Sequence, residues 1–204
     1  MTRFPFALGF AALLLAAPPA MAQNDLSREM IVSDPAAPVA GDPKGDVTIV
    51  AYLDYNCGFC KKSAPALEKL LKTDRKVKLV YKEWPILSET SVVGAKLALA
   101  AKYQGKYEVA HRALMGLVGA KVPTDKMTAA LTSAGIDMAR LTADATAHNA
   151  EITAAIKRND AQARGMQFRG TPVYLIGPLL VAAPLDYDGF KDAVAQARKR
   201  NGGG

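Results

Sequence analysis

Val47-Thr-Ile-Val-Ala-Tyr-Leu-Asp-Tyr-Asn-Cys57-Gly-Phe-Cys60-Lys-Lys62 is the stretch on which the reading of this chain turns. Val47, Ile49, Val50, Tyr52 and Leu53 make an apolar, β-rich run, as expected of a central strand covered on both faces. From Lys61 the period changes. Ala64, Leu67 and Leu71 recur at helical spacing, with Lys61, Glu68, Lys69 and Lys72 between them. Cys57 therefore falls where a strand ends and a helix begins. Cys60 is about one turn on, so both sulfurs lie on one side of the first turn, close enough to bridge.

That placement has chemical consequences. A thiolate, not a thiol, attacks a disulfide. The unpaired N–H groups and partial positive charge of a helix N-terminus stabilise the anion. Cys57 is predicted to be the exposed nucleophile, and Cys60, facing the body of the protein, the resolving thiol. Two blander readings compete. A purely structural disulfide here would close a very small loop and stabilise little. A zinc site needs about four ligands, and one Cys-x-x-Cys supplies two. The two histidines, His111 and His148, stand far off and lack His-x(3–5)-His spacing.

The 204 residues suit one domain, or one domain with a large insertion, and 50% are apolar, enough for a sizeable core. The net charge of +7 is spread along the chain apart from Arg198-Lys199-Arg200 near its end. That cluster fits a helix C-terminus complementing the helix dipole. It has no interleaved aromatics, which argues against a nucleic-acid partner. Residues 1–22 read as a signal peptide. Arg3 starts it, Phe4 to Ala17 is apolar, and Ala20-Met-Ala22 has the small-x-small form of a cleavage site, so the mature chain is expected to begin at Gln23. The apolar run falls short of the roughly 20 residues a spanning helix needs. Export would place the cysteines in an oxidising compartment.

Residues 23–46, with Pro35, Pro38, Pro43, Gly41 and Gly45, are predicted to be an extended lead-in, with a helical or strand stub over Leu26 to Val32. Pro65 is expected to kink the helix that follows Cys60. Val77 to Trp84 alternates apolar and polar as a second strand, which Pro85 ends. Residues 89–165 read as helical throughout, with Thr124 and Asp137 as N-caps and Gly135 and Gly165 as stops. His111 sits on an apolar stripe and reads as a packed core histidine, not a catalytic base; His148 reads as a surface or helix-junction residue. Val173 to Ile176, Gly177-Pro178 and Leu179 to Val181 give a hairpin signal. A last amphipathic helix starts near Asp186 or Asp188. The order makes an α/β protein with a mixed central sheet and a helical insertion.

With these motifs on the page, the sequence resembles the DsbA-like family of exported thiol:disulfide oxidoreductases in the thioredoxin superfamily. Tyr52-Leu-Asp-Tyr-Asn-Cys-Gly-Phe-Cys-Lys61, Lys82-Glu-Trp-Pro-Ile-Leu87 and Gly170-Thr-Pro-Val173 carry the likeness, which runs in order over about residues 38–200. It implies a thioredoxin-like fold in parts 47–88 and 166–200, with residues 89–165 as the inserted helical domain. It implies that Pro172 is a cis-proline beside the cysteine pair. The backbone of Thr171 would then be free to pair with an extended substrate near Cys57, with Phe59 on the same surface. The resemblance implies no cofactor beyond a redox-active Cys57–Cys60 disulfide. It implies unfolded or cysteine-containing exported clients, a membrane redox partner for recycling, a periplasmic location and a monomer.

Two departures from the family pattern stand out. Relatives usually bury an acid six positions before the first cysteine, where it takes the proton of the resolving thiol. This chain has Ala51 there, with Asp54, Lys82, Glu83 or water as possible replacements. The strong oxidase that names the family has Pro-His between its cysteines and a thiol pKa of about 3.5. Gly58-Phe59 supplies no charge or polar donor, so Cys57 is expected to be less acidic and the protein a milder oxidant. Thr171 before the proline pulls toward a reductase or isomerase. A monomer with the helical insertion pulls toward a disulfide donor, the favoured reading. A redox-inert chaperone module on the same fold is a third possibility, and the intact Cys57, Cys60 and Pro172 argue against it.

Overall fold

The computed structural model describes residues 26–202; the signal peptide and the expected start at Gln23 lie outside them. Five strands form one mixed sheet: β1 (Val39–Gly41), β2 (Val47–Leu53), β3 (Val77–Glu83), β4 (Val173–Ile176) and β5 (Leu179–Val181), in the spatial order β1-β3-β2-β4-β5. β2 takes the centre because it can be buried on both sides. It runs parallel to β3 and antiparallel to β4, with Ala51 opposite Tyr81 on one side and Tyr174 on the other. α2 (Gly58–Thr73) is the crossover that the parallel pair requires. Between β3 and β4 lie α3 (Glu89–Ala101), α4 (Tyr107–Met115), α5 (Thr124–Ser133), α6 (Met138–Ala147) and α7 (Asn149–Gly165). α8 (Tyr187–Asn201) closes the chain, capped by Asp186, whose carboxylate accepts the Gly189 N–H at 2.8 Å.

The two faces of the sheet are covered differently. Ile49, Ala51, Leu53, Leu79, Tyr174 and Ile176 point into the main core, shared with α2, α8 and the inserted helices. Val50, Tyr52, Val80, Trp84 and Val173 point the other way, against α7 and against α1 (Arg28–Val32). Each fully buried aliphatic side chain is worth roughly 1.5–3 kcal/mol, so this two-sided burial fixes β2 as the scaffold for whatever follows Leu53.

Several expectations need correction. The stub expected over Leu26 to Val32 forms as a helix, but the lead-in also adds an edge strand that was not expected. Ser27 caps α1 by accepting the Met30 N–H at 3.1 Å, and β1 pairs antiparallel with β3. A three-residue edge strand carries no readable periodicity. Gly41 at its end has φ +72°, and a Cβ there would stand 2.3 Å from the Val77 carbonyl, so this position admits glycine alone. Thr124 is not a cap: Pro123 holds that position and no side-chain hydrogen bond is made there. At the end of β3 the polar Lys82 and Glu83 are both buried, 0% and 2% exposed. Arg198 does more than complement a dipole: it bridges Asp46 (2.8 Å) and Asp74 (2.7 Å), tying α8 to the ends of β2 and α2.

Candidate active site

The site is built where β2 runs out. Asp54 is buried, and its carboxylate accepts the N–H groups of Asn56 (2.7 Å), Ile86 (2.8 Å) and Leu87 (3.0 Å). It thereby stitches the segment after β2 to the segment after β3. Asn56 extends the stitch. Its amide donates to Ser88 (2.9 Å), Thr90 (2.9 Å) and Ser91 (3.1 Å), and its carbonyl accepts the Val122 N–H (2.9 Å). Two amide hydrogens serve three hydroxyls, so that contact is shared. The next residue, Cys57, is the N-cap of α2, and its sulfur accepts the Cys60 N–H at 3.3 Å.

Thr171–Pro172 is a cis peptide, and it brings the Thr171 carbonyl to 3.1 Å from the Cys57 sulfur. The thiol donates to that carbonyl. Both cysteines are free thiols in this structure. One expectation is corrected here: Cys57 is not exposed but 4% accessible, scarcely more than Cys60 at 1%. The proline loop covers the sulfur. Between the cysteines Gly58 and Phe59 are exposed, Phe59 at 63%.

The two thiols are driven apart in acidity. The Cys57 thiol is lowered to about 6. The Cys60 thiol beside it contributes most, burial opposes, and the Thr171 side chain and the N–H groups of Cys60 and Phe59 add further support to the anion. Cys60 is pushed strongly up, first by burial and then by the hydrogen bond and charge of Cys57. The Thr171 hydroxyl is buried and makes no hydrogen bond in this dithiol state, while lying within reach of both sulfurs. Cys57 near neutrality is largely thiolate, and Cys60 is a thiol. Cys57 stays less acidic than about 3.5, consistent with the neutral Gly58-Phe59 pair.

The three side chains weighed as replacements for an acid at Ala51 are placed apart. Lys82 turns to the opposite face of the sheet and donates to Asp34 and to the Met30 carbonyl, both at 2.9 Å. Asp54 is occupied by the three backbone N–H groups above. Glu83 faces the main-core side, where one oxygen accepts the Tyr55 hydroxyl (2.6 Å) and the Tyr107 hydroxyl. Its other oxygen is buried without a partner. Burial raises the Glu83 carboxyl to about 8. His111 joins the group through Tyr55 (2.9 Å) and is held neutral by burial, lowered to about 3. It is a core residue, as its apolar stripe suggested. His148 lies at the junction of α6 and α7, stacked on Tyr103 at 3.6 Å.

A groove of about 410 Å³ opens beside the pair, lined by Phe59, Phe168, Thr171, Pro172, Leu180 and Pro184 among others. At its corner Gln167 adopts φ 61°, a left-handed conformation uncommon for a non-glycine residue. Among the described residues, no group of three or more His, Cys, Asp or Glu side chains could hold a metal ion. No described helix is long and apolar enough to cross a membrane. The role of Asn56 was not foreseen. The signal available was a polar residue directly before Cys57, with Ser88, Thr90 and Ser91 clustered downstream.

Comparison with known proteins agrees with this geometry. A family model described as thioredoxin matches residues 33–196, and the chain belongs to that family. A crystal structure of a thioredoxin-like oxidoreductase from Silicibacter pomeroyi is 41% identical, with a TM-score of 0.79 over 85% of this chain and 98% of that one. The thiol-disulfide exchange protein alpha-DsbA2 from Wolbachia pipientis is 26% identical, with a TM-score of 0.78 over 84% and 93%. A periplasmic thioredoxin-like protein from Salmonella enterica serovar Typhimurium is 26% identical, with a TM-score of 0.72 over 83% and 94%. Among curated proteins, the Na(+)/H(+) antiporter NhaA 1 of Salinispora arenicola is 30% identical over 89 residues, 43% of this chain and 14% of that protein. The chain thus spans a small part of that relative, and no transport activity is carried over. The fold and relatives define a thioredoxin-like thiol–disulfide oxidoreductase.

Proposed function

We propose that this protein is an exported disulfide donor that oxidises cysteine pairs in other exported proteins. The observation that carries the reading is the split in acidity at the pair: Cys57 near 6 and Cys60 held protonated, beneath a cis-proline loop. A stabilised thiolate favours the reduced form, so the disulfide is easily surrendered. In the working cycle a client thiolate attacks the Cys57 sulfur of the Cys57–Cys60 disulfide. The S–S bond breaks, and Cys60 leaves as a thiolate and takes up a proton. A second client thiolate then attacks the client sulfur of the mixed disulfide, and Cys57 leaves as the thiolate that its surroundings favour. The client loses two electrons and the protein gains them.

In this reading Cys57 is the sulfur that the client attacks and later releases, and Cys60 is the first leaving thiolate; run in the reducing direction, Cys57 is the nucleophile and Cys60 the resolving thiol. Thr171, Pro172 and Phe59 contact the client. A membrane redox partner reoxidises the pair, and the protein works as a periplasmic monomer, delivered by the signal peptide at residues 1–22. The test is the redox state of Cys57 and Cys60 in growing cells, read by acid quench, alkylation with a bulky thiol reagent and gel shift. A mostly oxidised pair is expected. A mostly reduced pair would establish the second reading, a reductase or isomerase fed by a membrane electron donor, which Thr171 before the proline favours.

A further inference from the structure

Large exposed apolar side chains are not scattered evenly over this molecule. Among the described residues, Leu26 and Val39 are exposed on the N-terminal segment, while the other large exposed apolar residues, Phe59, Ile86, Leu87, Val92, Val118 and Leu180, are each tied to the cysteine loop. Phe59 lies between the cysteines. The N–H groups of Ile86 and Leu87 are held by Asp54. Val92 follows Ser91, which receives the Asn56 amide. Leu180 shares the groove with Phe59. Val118 is the extreme case, 98% exposed at the tip of the loop joining α4 to α5.

That loop comes from the inserted helices, far in sequence from the pair, yet it is fastened to both of its flanks. Lys61, directly after Cys60, donates from Nζ to the Gly119 carbonyl at 2.8 Å. Asn56, directly before Cys57, accepts the Val122 N–H at 2.9 Å. Val118 adjoins the first anchor, so the loop that carries it is held beside the first turn of α2. A fully exposed valine contributes nothing to folding. Two hydrogen bonds spent on presenting it beside the nucleophile call for an apolar partner delivered together with a reacting cysteine.

We propose that the Leu117–Lys121 loop is a second wall of the client-binding surface, with Val118 seating an apolar side chain a few residues from the client cysteine. The groove beside Pro172 is the first wall. The client is an extended segment of unfolded polypeptide with apolar residues flanking its cysteine. Lys61 and Asn56 are positioning residues for the wall. This rests on the donor reading above, because a client must visit Cys57.

The test compares two extended peptides, each with one cysteine and differing only in flanking leucines or serines. The rate of mixed-disulfide formation with the oxidised protein is measured, with glutathione as a reference that reaches Cys57 without touching the loop. Wild type is expected to favour the leucine peptide by roughly fivefold to tenfold, the scale of one partly buried aliphatic side chain. Val118→Asp should cut that ratio to about half or less and leave the glutathione rate unchanged. Lys61→Gln should lower the same ratio while Lys61→Arg keeps it; taking the ratio cancels any change in thiolate acidity. An unchanged ratio in Val118→Asp overturns the wall. A wild-type protein that reacts with glutathione but with neither peptide overturns the donor reading beneath it.

Discussion

Lys82 and Glu83 are neighbours on β3, both buried, and they face opposite sides of the sheet into opposite electrostatic worlds. Lys82 meets Asp34 at 2.9 Å, and Asp34 also holds Arg158 at 3.0 and 3.1 Å. Burial alone would raise the Asp34 carboxyl, but the hydrogen bonds from Arg158 and Lys82 outweigh it and leave it below the ordinary carboxylate value. Glu83 has two tyrosine hydroxyls and no cation, and burial lifts it to about 8. The difference is one of purpose that geometry makes readable. A charge with charged partners is fixed across the working pH range and acts as a strap, here fastening α1 and α7 to the back of the sheet. A charge with hydroxyl partners alone stays titratable near neutrality, on the face that carries the cysteine pair.

The largest effect expected from breaking this contrast is on the strapped side. Asp34→Ala strands Lys82 and Arg158 without their shared partner, with Lys82 wholly buried. Removing one member of a buried ion pair costs about 3–5 kcal/mol. Urea denaturation should show a loss of that order, and the Cys57 titration should stay where it is. A loss below about 1 kcal/mol would mean that Asp34 behaves as a surface pair and that the strap is not a strap.

How much of this could be read from the chain follows the same divide. The strand into Cys57, the helix after it and the final hairpin were legible because each rests on local rules, periodicity, capping and turn residues, whereas the cis-proline loop was implied only by the family resemblance. Periodicity also placed His111 in the core. The pairing of Lys82 with Asp34 was not legible, since it joins residues 48 apart and no local rule connects them. β1 escaped because three residues give no period. The low exposure of Cys57 escaped because the cover comes from Thr171, 114 residues away. Glu83 could be singled out as a candidate, but its acidity is set by burial, with Tyr107 and Tyr55 opposing, and no spacing rule connects those three.

The titratable side predicts a pH dependence of definite sign. Glu83 has a folded value of about 8 against an ordinary 4.5, so between those values the folded state binds the extra proton. The Glu83 contribution to stability should therefore be fully present below about 4.5 and fall as pH rises toward 8. His111 works in the other window: held at about 3 against 6.5, its burial stabilises above 6.5 and that contribution is lost as pH falls toward 3. The two slopes oppose each other where the windows overlap. Glu83→Gln should remove the upper slope and keep the lower one. Its amide would also bury donors where Glu83 has an unpartnered oxygen, so the variant should be less stable than wild type at low pH and close the gap near pH 8. Parallel curves for the two proteins across that range would refute the assignment of the upper slope to Glu83.

The smallest effect sharpens the comparison from inside the network. Tyr107→Phe deletes one of the two hydroxyls on Glu83 and leaves the ring packed against Tyr81 and His111. The hydrogen bond itself is worth about 1 kcal/mol in net stability, far less than the Asp34 strap. The hydroxyl favours the ionised carboxylate, so its loss should move the Glu83 titration further up. The downward slope of stability should then extend to higher pH than in wild type, with little change below 4.5, where Glu83 is protonated in both states. Tyr55→Phe removes the other donor and the contact with His111 together, so it should disturb both windows where Tyr107→Phe disturbs one. If the two substitutions give the same pH profile, the four side chains do not act as a connected network, and Glu83 answers to burial alone.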